Sequence, residues 1–291
     1  MIQCFMKKNF IHSFDINRIP RLLYVSKIEE KASIYPRIMH SHDDFIEIVL
    51  ICNGKGEYSI NGKMYNIKKG DILIYNSGII HDEISGPNTR IRSYCCAIGG
   101  IKLGGLRENA LIGDDESPVI PSREYFSTLS GIFELIFSTL SSDYAGAEET
   151  CHYLTLSLLV QVMHLLQRKL DFHDTVSEEA NVLGKRIREY IDKYYMEDIS
   201  LQKMSDDLNI SSYYLSHVFK DTIGYSPIQY ILRRRIGEAQ TLLITTDFPV
   251  TRIASMVGYD NPSNFNQIFT KHVGMSPRKY RNSYILKAKK T

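Results

Sequence analysis

Between Leu201 and Arg281 one arrangement of apolar positions is written twice. Leu215, Phe219, Gly224, Pro227 and Tyr230 are matched 50 positions later by Phe265, Phe269, Gly274, Pro277 and Tyr280. Upstream the offset falls to 49, so that Leu201, Met204, Ser205 and Leu208 stand opposite Val250, Ile253, Ala254 and Val257. A period of this size marks a repeated supersecondary unit. Each copy predicts a short helix, a tight turn and a second helix. In the first, Asn209 to Ser212 supply turn and N-cap chemistry before the face of Leu215, Val218 and Phe219. In the second, Gly258 supplies the left-handed turn, and Asp260-Asn261-Pro262-Ser263 opens a helix carrying Phe265, Ile268 and Phe269. This is helix-turn-helix grammar, with small Ser205 and Ala254 where two helices would cross closely. An ordinary bundle also shows apolar stripes at this spacing. Two copies in register, each closing on Gly-x-x-Pro-x-x-Tyr, favour double-stranded DNA as a partner.

The pattern upstream is different. From Leu22 to about Ala97, short alternating or apolar runs broken by Gly, Asn and Pro predict strands. These are Phe45 to Cys52, Gly56 to Ile60, Met64 to Ile67, Ile72 to Tyr75 and Ile91 to Ile98, with Asn61-Gly62 as a hairpin signal. Strands so spaced predict a closed or sandwiched antiparallel sheet. Residues 99–121 read as a loop. Ser122 to Ser142 and Ala147 to Leu170 follow as helices with apolar surfaces too wide for one side of a small barrel to hide, which favours a homodimer. Acidic residues 171–181 read as a linker. Gly184 to Tyr195 predicts a helix, and Pro227 to Thr245 a spacer helix of about 27 Å, which can set two recognition helices about one DNA turn apart. The expected fold class is therefore α+β multidomain. It comprises an N-terminal antiparallel β-barrel with its arm (1–121), a helical dimerisation segment and linker (122–182), and an all-α double helix-turn-helix (183–291).

Charge sharpens this division. Residues 184–291 hold 17 Lys+Arg against 10 Asp+Glu, whereas residues 1–183 hold 18 against 23. The formal +2 of the whole chain therefore hides a basic C-terminal half, suited to a polyanion, and an acidic N-terminal one. Five cysteines without C-x-x-C spacing argue against a disulfide framework or structural zinc site and fit a reduced cytoplasm. The longest apolar run, Leu154 to Leu166, is too short to span a bilayer, so no membrane partner is expected.

One constellation in the β region could carry chemistry: His40-x-His42, then Glu47 and Gly54, then Gly70, Asn76-Ser77-Gly78 and His81. His40 and His42, two apart on an extended segment, face the same side. The spacing resembles the cupin family, a small β-barrel, over about residues 22–98. The resemblance implies His40, His42, Glu47 and His81 as ligands of a divalent transition metal such as zinc, iron, nickel or manganese. Ile34 stands where the family has Gly, Asn76 where it has Pro and Ser85 where it has Asn, departures that touch turns more than ligands. The same residues could instead line a small-molecule pocket or serve structure alone. A pocket would add Arg37, Tyr75 and, if even positions of the last strand face inward, Arg92 and Tyr94.

Residues 184–284 resemble the AraC-type DNA-binding domain, through the Gly258-Tyr259 turn, Phe265, Phe269 and Gly274-x-x-Pro277-x-x-Tyr280-Arg281. The cupin-like region and its helices resemble the sensor half of the same family. Thr270 departs from the family's usual Lys or Arg. The outward residues are Ser212, Tyr213, Ser216, His217 and Lys220 in the first recognition helix, and Ser263, Asn264, Asn266, Gln267 and Lys271 in the second. The resemblance makes Tyr213, His217, Ser263 and Gln267 base readers; Gln267 suits adenine, His217 guanine and Tyr213 a thymine methyl. Arg233-Arg234-Arg235 reads as a solvated or salt-bridged face with at most one or two residues on DNA. The leading reading is a DNA-binding regulator without enzymatic chemistry, controlled by a small-molecule effector such as a sugar. RNA polymerase is a further candidate partner. The alternatives are a cupin metalloenzyme fused to a DNA-binding module, and a barrel that only dimerises.

Overall fold

The computed structural model describes residues 2–6, 12–14, 18–84, 89–142, 144–169 and 182–284. The expected linker at 171–181 lies outside them. Eight strands come first: β1 (Arg21–Ile28), β2 (Phe45–Asn53), β3 (Lys55–Ile60), β4 (Lys63–Lys68), β5 (Asp71–Tyr75), β6 (His81–Ile84), β7 (Arg92–Gly99) and β8 (Val119–Pro121). They form a five-stranded sheet, β1-β7-β2-β5-β8, and a three-stranded sheet, β4-β3-β6. An isolated bridge between His40 and His81 extends the smaller sheet, so the sandwiched form of the expected architecture is the one seen. Asn61 and Gly62 carry φ of 52° and 78°, the two left-handed conformations of the tight hairpin turn that Asn-Gly favours.

Strand β2 explains the layering. Ile46, Ile48, Leu50 and Cys52 pack toward two helices, while Val49 and Ile51 pack between the sheets. Both faces are buried, which is why the strand reads as an apolar run and not as an alternation. The helices are α1 (Phe126–Ser142) and α2 (Ala147–Lys169). They bury Leu129, Phe133, Ile136, Leu158, Leu159 and Val162 against the larger sheet. Strand β8 corrects the expected loop at 99–121: Ile120 pairs with Ile72 at the sheet edge.

The C-terminal half is helical: α3 (Val182–Tyr194), α4 (Leu201–Leu208), α5 (Ser212–Ile223), α6 (Pro227–Thr245), α7 (Val250–Met256), α8 (Pro262–Val273) and α9 (Pro277–Tyr284). The repeat becomes two helix-turn-helix units, α4–α5 and α7–α8. Helix α6 runs between them, opened by Pro227 and a Ser226–Gln229 capping box. Its 19 residues span about 28 Å. Ser205 and Ala254 are buried at the crossings, where a larger side chain would push the paired helices apart. One apolar core joins all these helices, and it also takes in Ile38 and Met39 from the β half.

Candidate functional site

The four expected ligands converge. His40 and His81 exchange backbone hydrogen bonds of 3.0 and 2.9 Å, so their side chains leave the bridge on one side, and His42 follows at the same parity. Glu47 rises from β2 on the face that looks between the sheets. One ligand atom from each of His40, His42, Glu47 and His81 lies within 4.8 Å of the others. Tyr75, opposite Glu47 in the β2–β5 ladder, stacks on His81 with ring centres 3.9 Å apart.

Tautomers are set by the backbone. His40 Nδ1 lies 2.9 Å from the Ile38 carbonyl and His81 Nδ1 3.0 Å from the Ile79 carbonyl. Each Nδ1–H therefore donates to a carbonyl oxygen, which turns Nε2 toward the cluster: that of His40 is left as a ligand atom, and that of His81 meets Glu47. His81 Nε2 is 3.1 Å from Glu47 Oε2, and His42 Nε2 is 3.6 Å from Oε1. Burial works to raise the Glu47 carboxyl. The His81 hydrogen bond, the His42 and His81 imidazoles and the Tyr24 hydroxyl outweigh it and hold the group well below the usual carboxylate range. Burial, against the pull of Glu47, lowers His42 to about 4. Burial also holds His40 well below its ordinary value, with Arg37, His81 and His42 acting the same way. At neutral pH the site thus offers two neutral imidazoles and a carboxylate, the protonation states a cation needs.

The buried Tyr75 hydroxyl has no hydrogen-bond partner among the described residues. A buried polar group left open beside a ligand cluster fits a site that closes on a polar guest. Arg37 acts electrostatically on His40, and its Nη2 donates to Thr241 Oγ1 of α6 at 3.1 Å. Arg92 and Tyr94 face away from the cluster. Even positions of β7 face the helices: Tyr94 packs on Phe133, donates to Glu134 of α1, and belongs to the helix-side core, while Arg92 is exposed. The inward β7 residue is Cys95, whose thiol burial and Glu47 push upward. Tyr24, whose hydroxyl donates to Glu47, and Glu83, on which Glu47 acts electrostatically, belong to no motif in the sequence. Burial, then Glu47, raises the Glu83 carboxyl to about 8. Its position two residues after His81 is the parity signal that could have found it.

The second candidate surface lies on α5 and α8. Ser211 and Asn261 cap them by accepting from Tyr214 N and from Ser263 N and Asn264 N, and Gly224 and Gly274 end them at φ of 83° and 81°. Leu215, Phe219 and Ile223 are buried in one, Phe265, Phe269 and Val273 in the other. That leaves Tyr213, His217, Lys220, Ser263, Asn264, Asn266, Gln267 and Lys271 exposed. Tyr213, at 76% exposure, has its ring 4.6 Å from His217. Ser216 is half-buried, and Ser212 donates its hydroxyl to Ser205 at 2.9 Å, which turns it toward the helix crossing and away from the exposed face. The three arginines of α6 are all engaged within the chain: Arg233 with Asp82, Arg234 with Asp192, and Arg235 with the carbonyls of Tyr195, Glu197 and Gly258.

Comparison with known proteins matches both halves. An AraC-like ligand binding domain is recognised over residues 23–156 and a helix-turn-helix domain over residues 204–283. The chain belongs to the AraC-type family of transcription regulators. This AraC-type regulator is 28% identical over 253 residues to the HTH-type transcriptional regulator YdiP of Escherichia coli (strain K12), covering 84% of this chain and 81% of that one. It is 26% identical over 262 residues to the lactose operon transcription activator of Staphylococcus xylosus, with 87% and 90% covered. Among solved structures, the C-terminal domain of AraT, a response regulator from Geobacillus stearothermophilus, is 33% identical, with 39% of this chain and 95% of that chain covered and a TM-score of 0.37. The regulator therefore pairs a small-molecule-binding β domain with a DNA-binding helical one. No described helix is long and apolar enough to cross a membrane.

Proposed function

We propose that this AraC-type regulator senses its effector at the His40, His42, Glu47, His81 cluster and reads DNA through Tyr213, His217, Ser263 and Gln267. The observation that carries the sensing half is the convergence of four buried or half-buried ligand atoms within 4.8 Å, with two imidazole tautomers already fixed by carbonyls. Three imidazoles and one carboxylate suit a divalent transition metal. Held there, such an ion would supply Lewis-acid binding of a hydroxyl or carboxylate oxygen of a small effector. Tyr75, whose buried hydroxyl has no hydrogen-bond partner among the described residues, and Arg37, which acts electrostatically on His40, would orient that guest. The relative named for a lactose operon supports a sugar or related metabolite as the effector class.

For the DNA half, Asn264, Asn266 and Lys271 flank the readers in α8, and Lys220 does so in α5. Ser212, its hydroxyl committed to Ser205, and half-buried Ser216 play at most a backbone-contact role. Two chains would associate through α2, where Tyr153 and Val160 are exposed at 62% and 42% beside half-buried Leu156 and Met163.

Zinc titration by calorimetry tests the sensing site. One equivalent per chain is expected for the intact protein, with binding lost in His42→Ala and His81→Ala chains that still melt cooperatively. Equal binding by wild type and both variants would remove the cluster as the site.

A further inference from the structure

The segments that present His40 and His81 are also the segments that grip the DNA-binding half. Ile38 and Met39, immediately before His40, are 1% and 2% exposed and sit in the core of helices α3–α9. Asp82, immediately after His81, has a fully buried side chain. It accepts 2.7 Å hydrogen bonds from Arg233 Nε and Nη2, a fork-to-carboxylate pair, and one of 3.3 Å from the Tyr225 hydroxyl. The two segments are tied to each other by the His40–His81 backbone bridge.

Helix α6 is built to receive them. Gly237 lies in its interior, where glycine costs about 0.5–1 kcal/mol relative to alanine. The reason is close approach: a Cβ there would lie 1.9 Å from the Met39 carbonyl oxygen and 2.8 Å from that of Ile38. One turn on, Gln240 is fully buried. Its amide accepts from Ile38 N at 2.8 Å and donates to the Pro36 carbonyl at 2.9 Å. Arg37 Nη2 donates to Thr241 Oγ1 at 3.1 Å.

The β half touches both helix-turn-helix units as well. At the Asn61-Gly62 hairpin, Arg188 of α3 donates to Asn61 Oδ1 at 2.6 Å, and Gly62 abuts Ile223 at the end of α5. Tyr35 lies against Gly274 at the end of α8. The contacts at Ile223 and Gly274 fall on the C-terminal ends of the recognition helices, while Tyr213, His217 and Gln267 remain exposed. The docked arrangement therefore leaves the reading faces open and ties both of them, through α6, to one platform.

We infer that this platform is an intramolecular clamp, in which Met39, Asp82, Arg233, Gly237 and Gln240 are positioning residues that carry occupancy of the histidine cluster to the relative placement of the two recognition helices. The inference rests on the reading of the cluster as the sensing site. A guest held by His40 and His81 cross-links the two segments that seat on α6, which favours the docked, DNA-ready arrangement over an undocked one. Coupling of this kind is reciprocal, so DNA strengthens guest binding by the factor by which the guest strengthens DNA binding.

The test uses the full chain, a duplex selected from random sequence by the wild type, and Co²⁺ as the probe of the cluster. Gly237→Ala is the key variant, because alanine favours the helix while its methyl group evicts the Met39 carbonyl; Asp82→Asn is the second. In the wild type, Co²⁺ is expected to raise DNA affinity about tenfold, and DNA to raise Co²⁺ affinity equally. In Gly237→Ala both enhancements vanish while Co²⁺ affinity without DNA changes by less than about threefold. Variants that keep both enhancements overturn the clamp. A wild type that binds no Co²⁺ defeats this metal-based reading of the cluster instead, and the clamp is then judged on probe-free DNA binding. A loss of about tenfold in both variants supports it, and unchanged affinity overturns it.

Discussion

Arg234 Nε lies 3.1 Å from Asp192 Oδ1, joining α6 to α3 across the interior of the DNA-binding half. The arginine is 5% exposed, and Asp192 also accepts from Tyr230, whose hydroxyl is 3.1 Å away. Replacing both charges by well-packed apolar groups is often neutral, whereas removing one partner strands the other in the core. Asp192→Ala is therefore expected to destabilise the chain by about 3–5 kcal/mol. Urea unfolding checks this; a midpoint shift worth less than about 1 kcal/mol would show that the pair is solvated.

Base reading and backbone binding separate by chemistry. A glutamine side chain can pair bidentately with adenine, so Gln267→Ala should cost about 1–3 kcal/mol at one base position and relax preference there. A lysine serves phosphates, so Lys271→Ala should weaken all sequences alike and reduce the slope of log affinity against log salt by about one. Binding-site selection and salt titration distinguish the two, and interchange of these phenotypes would reverse the assignments.

Much of this half was legible because its signals are local. The 50-residue repeat became two superposable burial patterns, and Asn61-Gly62 became the expected turn. The cluster was legible too, since His40 and His42 share strand parity and Glu47 and His81 carry family spacing. The parity of β7 was not. Ser93, Tyr94, Cys96, Ala97 and Ile98 are all buried, so nothing in an apolar run on both faces says which side meets the histidines, and the condition on which Arg92 and Tyr94 depend, even positions facing inward, is not met. Strand β8 hid among Gly, Asp and Pro because three residues carry no period. The Arg233–Asp82 pair spans 151 positions, so a basic triplet that reads as solvated or salt-bridged does not reveal its carboxylate until the fold brings one to it.

Tyr24 was unread, yet its hydroxyl donates to Glu47. Groups that orient a metal-binding carboxylate typically contribute 10–100-fold in affinity. Tyr24→Phe should weaken Zn²⁺ binding by about tenfold while one equivalent still binds. Calorimetry gives both quantities, and unchanged affinity would reduce Tyr24 to a packing residue.

Association through α2 predicts that Tyr153→Glu with Val160→Glu yields a monomer in sedimentation equilibrium, because two charges would sit where apolar side chains meet. A double variant with the oligomeric state of the wild type would place the interface elsewhere.

The most direct measurement is selection of duplexes from random sequence by the full chain, followed by anisotropy titration of the winners. Two short conserved blocks are expected, separated by about one helical turn, roughly 34 Å, as the α6 spacer dictates, with the block read by α8 degraded in Gln267→Ala. Binding that is equally tight to every duplex, or a single block unaffected by changes in both α5 and α8, would contradict a regulator that reads DNA with two recognition helices.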